Sequence, residues 1–199
     1  MRHCSDGHNR KMNDWHAEIA QLAAMLIVED GLDFESAKRK AFSRATGRKQ
    51  MRGPHEELPS NAAIEEAIRE HINLFHSETQ PQRLRALRQA ALELMQALPK
   101  FDLWLTGAAA KGIATDHSVL SLVCVHDNSK DLGIALINLG LSVQADELDG
   151  RFGSRRDEVL RVDWRGEPTV IRVVGFAQGI RRWGGLPQSE LEHLLRQTP

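Results

Sequence analysis

LTGAAAKGIATDHSVLSLVCV, residues 105 to 125, is the stretch from which the rest of the chain can be read. An apolar run ends at Leu105, Thr106-Gly107 supplies a turn, Ala108 to Ala110 open a short helix, and Gly112, Ala114 and Ser118 lead into a second apolar run, Val119 to Val125. Short apolar runs bounded by glycine read as strands, so the unit is strand, turn, short helix, strand. Backbone N–H groups of residues 107 to 110 in such a turn can cradle an anion, with Lys111 and His117 in reach. A tight strand-to-helix connection with no ligand needs the same glycine.

Outward from this unit, Leu103 to Leu105, Leu141 to Val143, Val159 to Val162 and Thr169 to Val174 read as further strands, with a helix over Lys130 to Leu139 and a hairpin turn at Gly166. Residues 187 to 197 read as a terminal helix, with Pro187 in its first turn and Leu191, Leu194 and Leu195 facing inward. Towards the N-terminus the period changes to that of helices. Asp14 is the expected N-cap of a helix carrying Trp15, Ile19, Leu22 and Leu26 on one face, and Asp33 caps a second that stops at Gly47. Ile64, Ile68, Ile72 and Phe75 form the stripe of a third helix, and Leu84, Leu87, Ala91, Leu94 and Leu98 that of a fourth. The expected class is α+β: a helical N-terminal half followed by a small mixed sheet. The expected organisation is a loose tail over 1–12, a helical pair with a basic loop over 13–59, and a domain over 60–199. That domain has helices over 61–98, the sheet over 101–176 and the last helix over 187–197. Leu58-Pro59-Ser60 marks its start.

A length of 199 residues allows one or two domains, and 26 Lys+Arg against 27 Asp+Glu exclude an overall polybasic nucleic-acid binder. Locally the picture differs: residues 1–55 carry +3, 56–99 carry −3, 100–150 carry −4 and 151–199 carry +3. The sharpest run is Lys38, Arg39, Lys40, Arg44, Arg48, Lys49 and Arg52, with no acid between Ser36 and His55. It can hold nucleic-acid phosphates or be a solvated helix face. Tyr is absent and aromatics reach 5%, so base-stacking platforms are scarce. Cys4 and Cys124 form neither a disulfide framework nor a CxxC zinc motif, and Leu22 to Val28, the longest apolar stretch, is far short of the ~20 residues of a membrane span. These features point to a cytoplasmic location with no membrane partner.

Leu105 to Val125 resembles the core signature of the nucleotidyltransferase superfamily, the DNA polymerase β-like fold, in which a strand ends in Gly-Ser and a Ser-Asp-x-Asp strand follows. Over roughly residues 14–197 the chain is similar to uncharacterised proteobacterial nucleotidyltransferase-like proteins. The similarity rests on the Ala37 to Ala41 helix, Leu84 to Arg88, the Thr-Gly turn and the Leu-rich last helix. The resemblance implies that Thr106, Gly107, Ala108, Lys111, His117 and Ser118 form the ligand-binding loop and that the partner is RNA or a nucleotide.

Nucleotidyl transfer needs two or three carboxylates on adjacent strands to hold two Mg²⁺ ions. Where the pattern has Ser-Asp-Ile-Asp-Leu, this chain has Ser118-Val119-Leu120-Ser121-Leu122, so Val119 and Ser121 vacate both positions. The third acid is missing too, since residues 168–176 (PTVIRVVGF) contain none. The expectation is a scaffold of this fold without catalysis or cofactor. Mg²⁺ enters only if Asp116 and Asp163 act as displaced ligands in an active enzyme, and a protein-interaction module is a third reading.

Weaker motifs remain. His3, Cys4 and His8 offer metal ligands without a matching cluster, and His71 and His76 read as ordinary helix histidines. Cys124 and His126 share one strand face, with a buried structural thiol the plainer reading. Gln178 to Gly185 (QGIRRWGG) is a phosphate-contacting loop through Arg181, Arg182 and Trp183 or a lead into the last helix.

Overall fold

The computed structural model describes residues 6–47, 58–149, 156–175, 180–181 and 184–197. The chain divides into two units, Met1–Gln80 and Pro81–Pro199. The first is built from α1 (Asp6–Val28), α2 (Phe34–Thr46) and α3 (Asn61–Phe75), with α1 packed on both others. Ile19, Ala23, Ala24 and Leu26 of α1, Ala37 and Ala41 of α2, and Ile64, Ile68 and Ile72 of α3 are buried. Alanines at the α1–α2 contact let the two backbones approach. Both expected caps form: the Asp33 side chain accepts from the Ser36 N–H at 3.0 Å, and Gly47 closes α2 at φ 68°.

Three expectations change in this unit. Helix α1 starts at Asp6, inside the stretch expected to be a tail, so Asp14 is not its N-cap. Once the stripe from Ile19 to Val28 is packed, each residue added at the N-terminus gains a helix bond without a new nucleus, and no proline intervenes. Trp15 and Phe75 are exposed rather than on the buried stripe. The boundary expected at residues 59–60 lies instead at Gln80, because α3 buries its isoleucine stripe with α1. A Pro-containing loop interrupts regular structure without interrupting a core.

The second unit holds α4 (Gln80–Ala97), β1 (Asp102–Thr106), α5 (Gly107–Lys111), β2 (Leu120–Val125), α6 (Ser129–Asn138), β3 (Gln144–Asp149), β4 (Arg156–Trp164), β5 (Glu167–Val174), β6 (Leu186–Pro187) and α7 (Gln188–Gln197). The sheet order is β3-β4-β5-β2-β1-β6, with β2 and β5 parallel and every other pair antiparallel. The class is α+β with a mixed sheet, as expected. One face carries Leu103, Leu105, Leu120, Leu122, Cys124, Leu160, Val162, Ile171 and Val173, packed with Leu87, Ala91, Leu94 and Met95 of α4 and Leu132 and Leu136 of α6. The Trp164 indole N–H donates to the Ala90 carbonyl at 3.0 Å, which ties the end of β4 to α4.

The strand expected at Leu141 to Val143 is displaced to Gln144–Asp149. Gly140 at φ 83° ends α6 in a Schellman closure, with Gly140 N–H on the Ile137 carbonyl and Leu141 N–H on the Leu136 carbonyl. The helix cap thus consumes the Leu141 donor. The polar run after it pairs instead, and its acids suit a sheet edge. Arg165 at φ 57° and Gly166 at φ 86° form the two-residue turn between β4 and β5, a type I′ geometry that matches strand twist. Pro187 belongs to edge strand β6, beside Trp104 of β1, and sheet edges are where proline is tolerated.

Leu122 is 1% exposed in the middle of the sheet, so Leu122→Ala is expected to destabilise this unit by about 2–5 kcal/mol in urea unfolding followed by tryptophan fluorescence.

Candidate functional site

Gly107 adopts φ 69° where β1 passes into α5, a conformation that side chains with a Cβ pay for. A Cβ there would stand 3.2 Å from Ser121 Cβ. The turn therefore lies directly against β2, and Thr106 Oγ1 is 3.3 Å from Ser121 Oγ. Arg88 on α4 donates Nε to the Ala109 carbonyl at 3.1 Å and holds α5 down; burial lowers its pKa. Gly112 at φ 75° ends α5.

The loop that follows is braced. Ser118 Oγ accepts from the Thr115 N–H at 2.8 Å, so the hydroxyl expected in a ligand loop shapes its own turn. Arg83 grips both oxygens of Glu167 at 2.5 and 2.8 Å and reaches the Ser118 carbonyl with Nη2 at 3.4 Å, which links α4, the loop and the start of β5. The Glu167 hydrogen bond raises the Arg83 pKa further. Asp116 and His117 are exposed, Lys111 is half-buried, and Val119 is 47% exposed and precedes the strand.

Pairing defines what shares the face with Ser121. Thr106, Ser121, Val170, Arg161 and Gln144 line up across five strands, and Trp104, Val123, Arg172, Val159 and Asp146 form the next row. The far end of this face is covered by Ile180, packed on Val123 and Val174. The charged groups nearest Ser121 in this register are thus two arginines, with Arg161 Nε on Asp146 at 2.9 Å. The nominated Asp163 lies two strands over and two residues along from Ser121, about 12 Å away between Cα atoms by ordinary strand spacing. Its Oδ1 accepts from the Gly166 N–H at 2.7 Å, which holds the hairpin turn.

Sequence reading did not single out Arg161 and Arg172. Their signal was alternation: both occupy the non-apolar positions of strands otherwise read for their buried residues.

On α2, Arg39, Lys40 and Arg44 are exposed and Lys38 is half-buried, while Lys40 pairs with Asp30 at 3.2 Å. Three consecutive cations spread over about 200° of helix circumference, so they do not make one stripe. Arg48, Lys49 and Arg52 lie outside the described residues, as do His3, Cys4, Arg182, Trp183 and the side chain of His8. Arg181 sits over the Trp104 ring at 5.4 Å and pairs with Glu190 at 3.1 Å. Cys124 is fully buried, and burial, helped by Asp102, pushes its thiol up to about 12. His126 Nδ1 accepts from the Asn128 N–H at 3.1 Å. A buried thiol whose pKa burial raises is structural, not nucleophilic. Among the described residues no helix is long and apolar enough to cross a membrane.

No family model and no curated protein matches this chain. A solved structure described as the structural basis for the activity of a cytoplasmic RNA terminal U-transferase is similar at 18% identity and a TM-score of 0.33. The match covers 55% of this chain and 34% of that one, and a likeness this faint carries no weight for fold or function.

Gly107→Ala is expected to cost at least the about 1–2 kcal/mol of a left-handed non-glycine residue. A second change, Ser121→Gly, should recover only the steric part, as read by thermal unfolding. In a Cys4→Ser chain, the Cys124 thiol is expected to resist iodoacetamide at neutral pH until denaturant is added.

Proposed function

We propose that the second unit is a nucleotidyltransferase-like scaffold without metal-dependent transfer, and that the protein acts by binding RNA or a nucleotide. One observation carries the reading. Val119, Ser121 and Val170 stand where a two-metal site needs carboxylates, and the nearest charged groups on that sheet face are arginines, Arg172 one row along and Arg161 two strands away. Cationic side chains beside a glycine turn suit phosphate oxygens and repel divalent cations. Thr106, Gly107 and Lys111 supply the turn, and the first unit by itself offers RNA the exposed cations of α2. The hairpin bond that occupies Asp163 speaks against the active alternative.

The test is fluorescence anisotropy of labelled single-stranded RNA and of a labelled nucleotide over a salt series. Arg161→Gln with Arg172→Gln is expected to weaken binding about tenfold or more and to flatten the log–log salt slope by about 0.7 for each phosphate no longer neutralised. Lys38, Arg39 and Lys40 changed to Ala should weaken RNA binding and leave nucleotide binding intact. Mg²⁺-dependent pyrophosphate release that disappears in Asp116→Ala or Asp163→Ala would instead establish an active transferase. Absence of any RNA or nucleotide affinity, with a nuclease-resistant protein partner, would favour an interaction module.

A further inference from the structure

In the first unit, the side chains of Glu29, His71 and His76 converge where α1 and α3 end. Glu29 follows the last residue of α1, and its N–H remains on the Met25 carbonyl at 2.9 Å. His71 is in α3, and His76 is its C-cap. In an uninterrupted helix, residues five apart point about 140° away from each other. His76 leaves the helix at φ −130° and ψ 19°, and its ring turns back until the two imidazole centroids are 5.9 Å apart. Both Nε2 atoms then reach the same carboxylate oxygen, Glu29 Oε1, at 2.8 Å from His71 and 2.7 Å from His76.

One oxygen shared by two imidazoles from a distant helix is an unusual focus. The three ligand atoms all lie within 4.8 Å of one another, the sole group of its kind among the described residues. Two imidazole nitrogens and a carboxylate oxygen are the donor set of open zinc centres, which keep a further position for water or substrate. Tetrahedral bonds of 2.0–2.2 Å put ligand atoms about 3.3 Å apart, so the two N–O separations need to open by only about half an ångström. The hydrogen bonds from His71, then His76, hold the Glu29 carboxyl below its usual range. His71 is 16% exposed and His76 33%, so an ion can enter from solvent, while the Phe75 ring 4.7 Å from His71 limits that imidazole's rotation. Nitrogen donors disfavour Mg²⁺ and Ca²⁺, which prefer all-oxygen shells.

We propose that Glu29 Oε1, His71 Nε2 and His76 Nε2 bind one divalent transition ion of the zinc class, with an open coordination position. Such an ion replaces the two shared hydrogen bonds by three metal bonds and fastens the end of α1 to the end of α3. It stabilises the helical unit by mass action wherever the metal binds the folded form better than the unfolded one.

The experiment titrates the full chain, freed of metal by chelator, with Zn²⁺ alone by calorimetry and with Co²⁺ alone by visible absorption. One Zn²⁺ per chain, an upward shift in thermal midpoint, and the intense Co²⁺ bands of four- or five-coordination are expected. His71→Ala, His76→Ala and Glu29→Gln should each weaken Zn²⁺ by at least the about 10–100-fold that loss of even an outer-shell partner costs. A chain with His3→Ala, Cys4→Ser and His8→Ala should keep its affinity, and circular dichroism checks the fold of each variant. Glu29→Gln retains an acceptor oxygen for both imidazoles, so it tests the site even if a histidine variant unfolds. Failure to take up Zn²⁺ would overturn the proposal, as would Zn²⁺ binding that survives Glu29→Gln or disappears with the three N-terminal substitutions.

Discussion

The parallel pairing of β2 with β5 is the constraint on which the sheet unit depends. It joins Leu120–Val125 to residues 169–174, segments separated by a helix and two strands, and so merges the β3-β4-β5 hairpins with the β1-β2-β6 side into one sheet. Parallel neighbours cannot be joined by a tight turn, so the connection must travel away and return. The apolar residues that make this possible are those of the face shared with α4 and α6. A one-residue slip would turn Leu122 and Ile171 out and bring Ser121 and Val170 in. The ion pair of Arg83 with both oxygens of Glu167 sits at the start of β5 and opposes such a slip.

That same register decides the chemistry of the other face. With Leu105, Leu122 and Ile171 committed to the core, Thr106, Ser121 and Val170 necessarily share the opposite side, with Arg161 beyond them. A divalent cation beside Ser121 would meet a hydroxyl pair and no carboxylate at the adjoining β1, β2 and β5 positions. An anion would meet the glycine turn, with Arg172 one row along and Arg161 held by Asp146. The helical unit poses the reverse case, since its one focus of ligand atoms among the described residues combines a carboxylate with two imidazoles.

Much of the fold was legible because its signals are local. Asp33 and Gly47 cap α2 through bonds made within a few residues, and Gly166 makes its turn with its immediate neighbours. The strand at Leu141 to Val143 was misread because a Schellman closure spends the Leu141 donor on α6, a competition that hydrophobicity does not reveal. The start of α1 was misplaced because a polar extension of a packed helix has no pattern of its own. The boundary was misplaced because loops mark breaks in secondary structure, whereas units are defined by which faces are buried together.

For the candidate site, the sequence by itself determined what is missing: no acid stands at residues 119 and 121 or within 168–176, and the order of residues alone establishes this. It also placed a glycine turn between two strands, since only glycine is at ease at φ 69°. The tertiary structure decided what stands beside that turn. Arg161 and Arg172 join Ser121's face through strand pairing, and Glu29 meets His71 and His76 across 42 and 47 residues, because helix ends and sheet registers are set by buried faces rather than by neighbours in the chain.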